Sequence, residues 1–222
     1  MRWRSCSAGL PHFTLRSRRF SAVDSETGEA YFVSPRSGDL VVLTRQELAE
    51  EQVRARLRPL ALDLDVTPAE DPLSTLAPDP GAMPVLARDA EACRCFLRRI
   101  ALPMRLSTRF MALDSLACYI ASLHPSRTLA VREALGLLRS VGEPPRNQCL
   151  QTSFMQAVFL VRHGVPLRLH VGVWIPTTWM HAWVTVPAEH GGTSGEWLAN
   201  ESVDRIAHYQ PVLRFEFDCP RA

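Results

Sequence analysis

The spacing of the apolar residues changes at Gly164, and this change limits the folds open to the chain. Before it, in NQCLQTSFMQAVFLVRHG, apolar side chains recur every three to four positions, which predicts a helix ending at a glycine C-cap. After it, PLRLHVGVWI and WMHAWVTV alternate with a period of two and are separated by residues 176–178. The pattern predicts a helix followed by an antiparallel hairpin, and therefore an α+β fold.

Further helices are predicted upstream of this unit. Residues 89–106, 108–123 and 129–141 repeat their apolar positions at helical spacing. We expect the prolines at 103, 125, 144 and 145 to separate these helices. GEWLANES, after a Gly-rich turn, predicts a third short strand. Residues 89–222 are therefore predicted to form one domain, with helices first and antiparallel strands after them.

The N-terminal part, residues 1–64, predicts a small β-hairpin-plus-helix module. β-prone runs flank a turn at Asp24–Glu29, and the apolar run DLVVL follows. Thr44 and Glu47 have capping-box spacing, so a helix should begin there. Residues 65–88 contain five prolines between Pro68 and Pro84, which is incompatible with a helix or a central strand. We interpret this stretch as a linker.

Composition excludes several classes of protein. The chain has 222 residues with 46% hydrophobic content, which is enough to bury a substantial core. A formal net charge of +2 is not the basic excess of a dedicated nucleic-acid binder. The sequence shows neither a secretory signal nor an apolar run long enough to span a membrane. Its six cysteines form no C-x-x-C pair, which favours reduced thiols and a cytoplasmic location.

Cys149 is the first candidate for chemistry because it lies at a predicted helix N-terminus. The unpaired N–H groups and the dipole of a helix favour a thiolate there and can also hold an oxyanion. A lone cysteine is, however, more often a small buried apolar residue than a nucleophile. The thiol by itself therefore leaves both interpretations open.

His181 offers the base that a nucleophilic thiol requires. It is predicted on the second strand of the hairpin, where it shares a face with Trp183 and Thr185. We expect the helix to pack against that face and so bring Cys149 near the imidazole. The next strand supplies Asn200 and Glu201, either of which could orient the imidazole. This order of thiol, imidazole and acid or amide is more specific than any one of the residues.

The segments NQCLQTSFMQAVFLVRHGVPLRLHVGV, MHAWVTV and WLANES together resemble the maturation proteases of lasso peptides, the B proteins, over about residues 95–217. The resemblance implies a transglutaminase-like or papain-like cysteine peptidase fold with Cys149 as the nucleophile and His181 as the base. It implies that the Cys149 N–H, with Gln148 nearby, holds the oxyanion. Glu201 stands where the family has an aspartate, so the choice between Asn200 and Glu201 stays open.

The resemblance extends in outline to the N-terminal part. It implies a winged-helix-like module that binds the leader of a precursor peptide by adding a strand to a sheet edge. The candidate edge is AYFV, with Tyr31, Phe32 and Val33 as peptide-binding residues. The core peptide would pass to an ATP-dependent cyclase resembling asparagine synthetase. The resemblance implies no metal, cofactor, nucleic acid or membrane partner.

The functional hypothesis is therefore a cytoplasmic cysteine peptidase that removes the leader from a lasso-peptide precursor. Two alternatives remain open. The same three residues could transfer an acyl group to an amine, as transglutaminases and arylamine acetyltransferases do. The chain could instead be a non-catalytic protein that presents the leader to the cyclase, with Cys149 in a structural role. Glu201 in place of the family's Asp, and Thr185 where the family usually has Glu, keep this alternative open.

Overall fold

The computed structural model describes residues 13–36, 38–50, 71, 73–79, 81, 83–142, 148–188 and 195–218. Several predictions lie outside these residues, namely the extension of the first helix beyond residue 50, residues 65–70, 72, 80 and 82 of the linker, the prolines at 144 and 145, and most of the Gly-rich turn at 190–194. Among the described helices, none combines the length and apolarity that crossing a membrane requires.

The described chain forms a mixture of helices and antiparallel sheet. The strands are β1 (Thr14–Arg19), β2 (Ala22–Val23), β3 (Ala30–Val33), β4 (Leu40–Leu43), β5 (Leu167–Trp174), β6 (Trp179–Pro187), β7 (Glu196–Leu198) and β8 (Gln210–Asp218). The helices are α1 (Arg45–Ala49), α2 (Ala87–Phe110), α3 (Leu113–Ala121), α4 (Val131–Ser140), α5 (Cys149–Arg162) and α6 (Val203–Ile206). The predicted order of four helices followed by three strands is confirmed by α2–α5 and β5–β7, whereas α6 and β8 were not predicted.

The larger sheet has the order β1-β8-β5-β6-β7, and each pair of neighbours is antiparallel. The predicted hairpin is β5 and β6, closed by the short 3-10 turn Ile175–Thr177. The predicted third strand is β7, which pairs with the far end of β6. Strand β1 joins this sheet through β8 and does not join the N-terminal strands that follow it. The N-terminal part therefore contributes a strand to the C-terminal sheet.

The smaller sheet has the order β2-β3-β4, so β3 is its central strand. The expectation that Ala30–Val33 forms an open edge is wrong, because β4 pairs along its whole length and β2 pairs with Ala30 and Tyr31 on the other side. All four side chains of β3 are buried. A run in which every residue is apolar and β-prone is buried on both faces, which favours a central position over an edge.

The Thr44–Glu47 capping box is present, as predicted. The Thr44 hydroxyl accepts the Glu47 N–H, and the Glu47 carboxylate accepts the Thr44 N–H at 2.8 Å. These bonds pair donors that the start of a helix leaves unsatisfied. They fix the N-terminus of α1 directly after β4.

Helix α2 continues through Pro103, which the sequence pattern predicts as a helix end. A proline removes one i→i−4 hydrogen bond and crowds the preceding turn. Both Pro103 and Arg99, whose carbonyl loses that bond, lie on the exposed side of the helix. Water can therefore satisfy the carbonyl while the opposite face stays packed on the core, and the break predicted at this position is wrong.

Part of the predicted linker lies against the sheet. The Ala77 N–H donates to the Glu196 carbonyl at 2.9 Å, the Glu196 N–H donates to the Thr75 carbonyl at 2.8 Å, and Leu76 forms an isolated parallel bridge with Glu196. The Trp197 indole N–H also donates to the Pro78 carbonyl at 3.0 Å. These bonds cover the outer side of β7. The boundaries at 1–64, 65–88 and 89–222 stay predictions.

The main core lies between α5 and one face of the larger sheet. Phe154 and Leu160 of α5 are fully buried in the same cluster as Val184 and Phe215 of the sheet. The face of β6 that carries Ala182, Val184 and Val186 belongs to this cluster, whereas Trp183 lies in a separate one. The expectation that α5 packs on the His181 face is wrong, because the fully apolar face buries more apolar area against the helix.

The end of α5 sets the entry angle of the hairpin. Gly164 has a φ of 70°, its N–H donates to the Val161 carbonyl, and the Val165 N–H donates to the Leu160 carbonyl at 2.9 Å. These two bonds form a Schellman motif. The left-handed residue turns the chain directly into β5.

We expect Gly164→Ala to lower the free energy of unfolding by about 1–2 kcal/mol, because a Cβ disfavours this left-handed backbone. Gly164→Asn is the matched control and should cost less, since asparagine tolerates the conformation better. Urea unfolding followed by circular dichroism measures both variants. An alanine variant as stable as the wild type would contradict the motif.

Candidate active site

Cys149 is the first residue of α5, as the sequence predicts. Gln148 forms the N-cap with φ −128° and ψ 23°, and its side chain makes no capping hydrogen bond. The thiol is free and partly exposed. The helix therefore presents an accessible thiol next to backbone N–H groups that its own turn does not use.

The environment of the thiol favours its ionised form. Burial raises the pKa of the Cys149 thiol, but hydrogen bonds from the His181 side chain and from the N–H groups of Ala182 and Leu150 outweigh burial. The result is a pKa below the ordinary 9.0. A thiolate rather than a thiol is the nucleophile in cysteine chemistry, so these contacts activate Cys149.

The imidazole of His181 is buried beside the thiol, with an exposed fraction of 4%. Burial lowers the pKa of His181, but hydrogen bonds and charges from Cys149 and Glu201 more than reverse this effect and raise the pKa to about 9. The Nε2 atom lies 3.5 Å from Glu201 Oε1, which leaves Nδ1 for the thiol. The lowered pKa of Cys149 and the raised pKa of His181 both favour a thiolate–imidazolium pair.

The carboxylate that faces His181 belongs to Glu201, whose side chain is 3% exposed. Its second oxygen lies 3.2 Å from Arg205 Nη1, so the negative charge is paired on both sides. A separation of 3.5 Å is long for a hydrogen bond, and catalytic hydrogen bonds are often long until substrate binds. The arrangement has the order thiol, imidazole and carboxylate that a catalytic triad requires.

Asn200 points away from the imidazole. Its amide donates to the Gly142 carbonyl, just after α4, at 2.7 Å. The structure therefore brings Cys149, His181 and Glu201 together, and it uses Asn200 to attach the loop to α4. The catalytic role of each residue stays a prediction.

Two clefts meet at Asn200. One has a volume of about 310 Å³ and is also lined by Gln148 and Thr152. The other has a volume of about 430 Å³ and is lined by Glu201 and Trp197. Gln148 is exposed and directly precedes Cys149 in the chain. Its predicted oxyanion role stays a prediction.

Aromatic rings cover the His181 side of the sheet. The Trp183 ring stacks on His181 at a centroid distance of 6.3 Å, and the Tyr209 ring lies 5.1 Å from His181. Gly172 makes room for Trp183, because a Cβ at this position would lie 2.8 Å from the indole. The sequence pattern did not identify Tyr209, since no spacing relates it to His181 before the chain folds.

A second polar cluster lies behind Trp183. The His170 Nε2 atom is 3.0 Å from the Thr185 hydroxyl, which donates to the Glu196 carboxylate, and Glu196 forms an ion pair with Arg168. Burial, with the charges of Arg214 and Arg168, lowers the pKa of His170 to about 3, so the ring is neutral.

Other candidates lie apart from this site. Tyr31, Phe32 and Val33 are 4%, 2% and 2% exposed, and their predicted contact with a peptide is not tested by this placement. Cys93 is buried and Cys95 is exposed, so they do not form a pair of ligands. Among the described residues, no group of three or more His, Cys, Asp or Glu side chains could hold a metal ion.

A model of the transglutaminase-like superfamily matches residues 96–214, which is more than half of the chain and includes all three residues of the site. Domains of this superfamily are usually enzymes that use a cysteine. The mixed helices and antiparallel sheet agree with such a domain. No curated protein and no solved structure matches the chain significantly.

We expect Cys149 to react with iodoacetamide at neutral pH, because its pKa is lowered while burial raises the pKa of Cys93 to about 11 and also raises that of Cys118. His181→Ala should move the rise in the alkylation rate to higher pH, since the thiolate loses its cationic partner. Mass spectrometry of the Cys149 peptide measures the rate at each pH. Identical pH profiles for the wild type and the variant would rule out the ion pair.

We expect Glu201→Gln to lower the pKa of His181 from about 9, because the carboxylate charge that favours the imidazolium is lost. Activity should fall about 10²–10⁴-fold, as expected when the orienting acid of a triad is neutralised. The alkaline limb of kcat/KM, which follows loss of the imidazolium proton, should move to lower pH. Asn200→Ala is the control and should leave this limb unchanged. A shift in Asn200→Ala without a shift in Glu201→Gln would instead assign the orienting role to Asn200.

Proposed function

Because the chain belongs to the transglutaminase-like superfamily, we propose that it is a cytoplasmic cysteine peptidase that removes the leader from a lasso-peptide precursor. The observation that carries the proposal is the contact of the Cys149 thiol with His181, together with the Glu201 carboxylate that faces the other side of the imidazole. A buried structural thiol would have a raised pKa, as Cys93 does. The lowered pKa and partial exposure of Cys149 favour catalysis over a structural role.

The first half of the reaction forms an acyl-enzyme. The Cys149 thiolate attacks the scissile carbonyl, and the carbonyl oxygen takes the negative charge. The N–H of Cys149 at the helix N-terminus, with the amide of Gln148 nearby, stabilises this oxyanion. The His181 imidazolium then gives its proton to the nitrogen of the leaving amine, and the carbon–nitrogen bond breaks.

The second half releases the leader. Neutral His181 takes a proton from a water molecule, and the resulting hydroxide attacks the thioester. Collapse of the second tetrahedral intermediate breaks the carbon–sulfur bond and regenerates the thiolate–imidazolium pair. Glu201 holds the imidazole in place and stabilises its positive charge in both halves.

The assignment to lasso-peptide maturation rests on the resemblance of residues 147–173, 180–186 and 197–202 to the B proteins. In this proposal the partners are the precursor peptide and a separate ATP-dependent cyclase that closes the ring. The N-terminal part holds the leader. Strand β4 pairs along one side of β3 and β2 pairs with Ala30 and Tyr31 on the other, which disfavours β3 as the strand that takes the leader.

Acyl transfer to an amine is the alternative that the same site supports. A thioester on Cys149 can react with an amine as well as with water, and the superfamily is compatible with both outcomes. The products separate the two functions: hydrolysis gives a free carboxylate on the leader, whereas transfer gives a new amide. Adding a primary amine to the assay therefore decides between them.

We expect wild-type protein to cut a linear lasso precursor once, at the boundary of leader and core, whereas Cys149→Ala should bind the precursor without cutting it. Loss of the nucleophile should lower the rate of cleavage by many orders of magnitude. Cys118→Ala is the matched control, since Cys118 is exposed on α3 and not on the helix that begins at Cys149, and it should retain activity. Mass spectrometry identifies the products.

The assay is run with and without the cyclase and ATP, because the partner could be required for cleavage. Binding without cleavage under both conditions would contradict the peptidase and leave a leader-binding protein. Cleavage by Cys149→Ala at the wild-type rate would show that another group performs the chemistry.

A further inference from the structure

Two large apolar side chains are exposed directly before His181 in the sequence. Trp179 is 65% exposed and Met180 is 41% exposed, although the strand that carries them is buried from His181 onward. An exposed tryptophan adjacent to a reactive site requires an explanation, because large apolar groups in contact with water are unfavourable.

Trp179 lies on the same face of the sheet as His181. Thr178 has a φ of 56°, a left-handed conformation that closes the tight turn before β6. Trp179 and His181 are two residues apart on one strand, so they share a face. Trp174 pairs with Trp179 across the hairpin and therefore lies on the same face.

We define the aromatic platform as Trp174, Trp179, His208 and Tyr209. The Trp174 ring lies 6.3 Å from Trp179, 5.2 Å from His208 and 6.4 Å from Tyr209. Tyr209 in turn lies 5.1 Å from the His181 ring. The platform is thus a continuous aromatic surface that leads from the candidate active site to the exposed end of the hairpin.

The chemistry of the site decides which part of a substrate meets this surface. His181 must deliver its proton to the leaving nitrogen, or accept one from an attacking amine, so the amine lies on the His181 side of the reacting carbonyl. A chain that leaves this nitrogen and passes over His181 would meet Tyr209 and then Trp174.

We propose that the aromatic platform binds an apolar or aromatic side chain on the amine side of the reacting bond. The ligand class is an amine or peptide amine with such a side chain, within the first residues after the reacting nitrogen. The proposal rests on the cysteine chemistry proposed above, but it holds whether the amine leaves in hydrolysis or enters in acyl transfer.

The test uses an activated ester, so that it does not depend on recognition of a leader. Attack of Cys149 on p-nitrophenyl butyrate breaks the ester bond, releases nitrophenolate and forms a butyryl thioester. The thioester then partitions between water, which gives butyrate, and an added amine, which gives an amide while His181 takes the amine proton. The ratio of amide to acid does not depend on the acylation rate, because both products come from one thioester.

We expect tryptophanamide and glycyl-tryptophanamide to capture the acyl group about tenfold better than glycinamide and diglycinamide, because ring stacking adds to apolar burial. Trp179→Ala and Trp174→Ala should reduce this preference to near parity, and Trp179→Phe should retain most of it. Tyr119→Ala removes an aromatic side chain of similar exposure that lies on α3 and not on the hairpin, and it should leave the preference unchanged.

The possible outcomes separate the two proposals. If Cys149 is acylated rapidly but all amines capture the acyl group equally, the aromatic platform alone is overturned. The same holds if the preference persists unchanged in Trp179→Ala. Absence of a butyryl adduct on Cys149 would overturn the proposed cysteine chemistry, and the platform with it. A preference that is lost in both alanine variants and kept in Trp179→Phe supports both proposals.

Discussion

The contact between the Cys149 thiol and the His181 imidazole is the interaction on which the site depends. It requires the N-terminus of α5 to meet β6 at His181, while the rest of the helix packs on the apolar face of the sheet. The contact stabilises opposite charges on two groups that burial alone would keep neutral. A shift of α5 by one turn, about 5.4 Å, would remove the thiol from the imidazole and return its pKa toward that of an ordinary buried cysteine.

The end of α4 and the segment before α2 hold the third member of the site. Arg139 donates to the Leu198 carbonyl at 2.8 Å and pairs with Asp79, while Asn200 donates to the carbonyl of Gly142. These bonds hold the residues just before Glu201 against the end of α4, and Asp79 holds the Arg139 side chain in place. Rigid support of this kind limits the reorganisation that the carboxylate would otherwise undergo when the imidazole becomes charged.

Much of the site could be predicted because its members lie on elements with strong local patterns. Cys149 precedes an apolar helical repeat, and His181 lies in an alternating run, so both positions follow from periodicity. The pattern predicted a helix end at Pro103, but α2 continues through this proline on its exposed side. It also predicted β3 as an edge strand, whereas β3 is the central strand of its sheet. Tyr209 could not be found in this way, because only the return of β8 beside β5 brings it to His181.

The sequence by itself determined the order of α2–α5 and β5–β7, the helix start at Cys149 and the glycine that ends this helix at Gly164, but it did not predict α6 or β8. Periodicity, capping and backbone conformation are local, so each can be recognised without knowledge of the fold. Only the tertiary structure decided that β1 joins the larger sheet, that α5 packs on the Val184 face, and that Glu201 rather than Asn200 faces the imidazole. These outcomes depend on which buried surfaces and hydrogen bonds fit together across the chain, and neighbouring residues alone do not specify them.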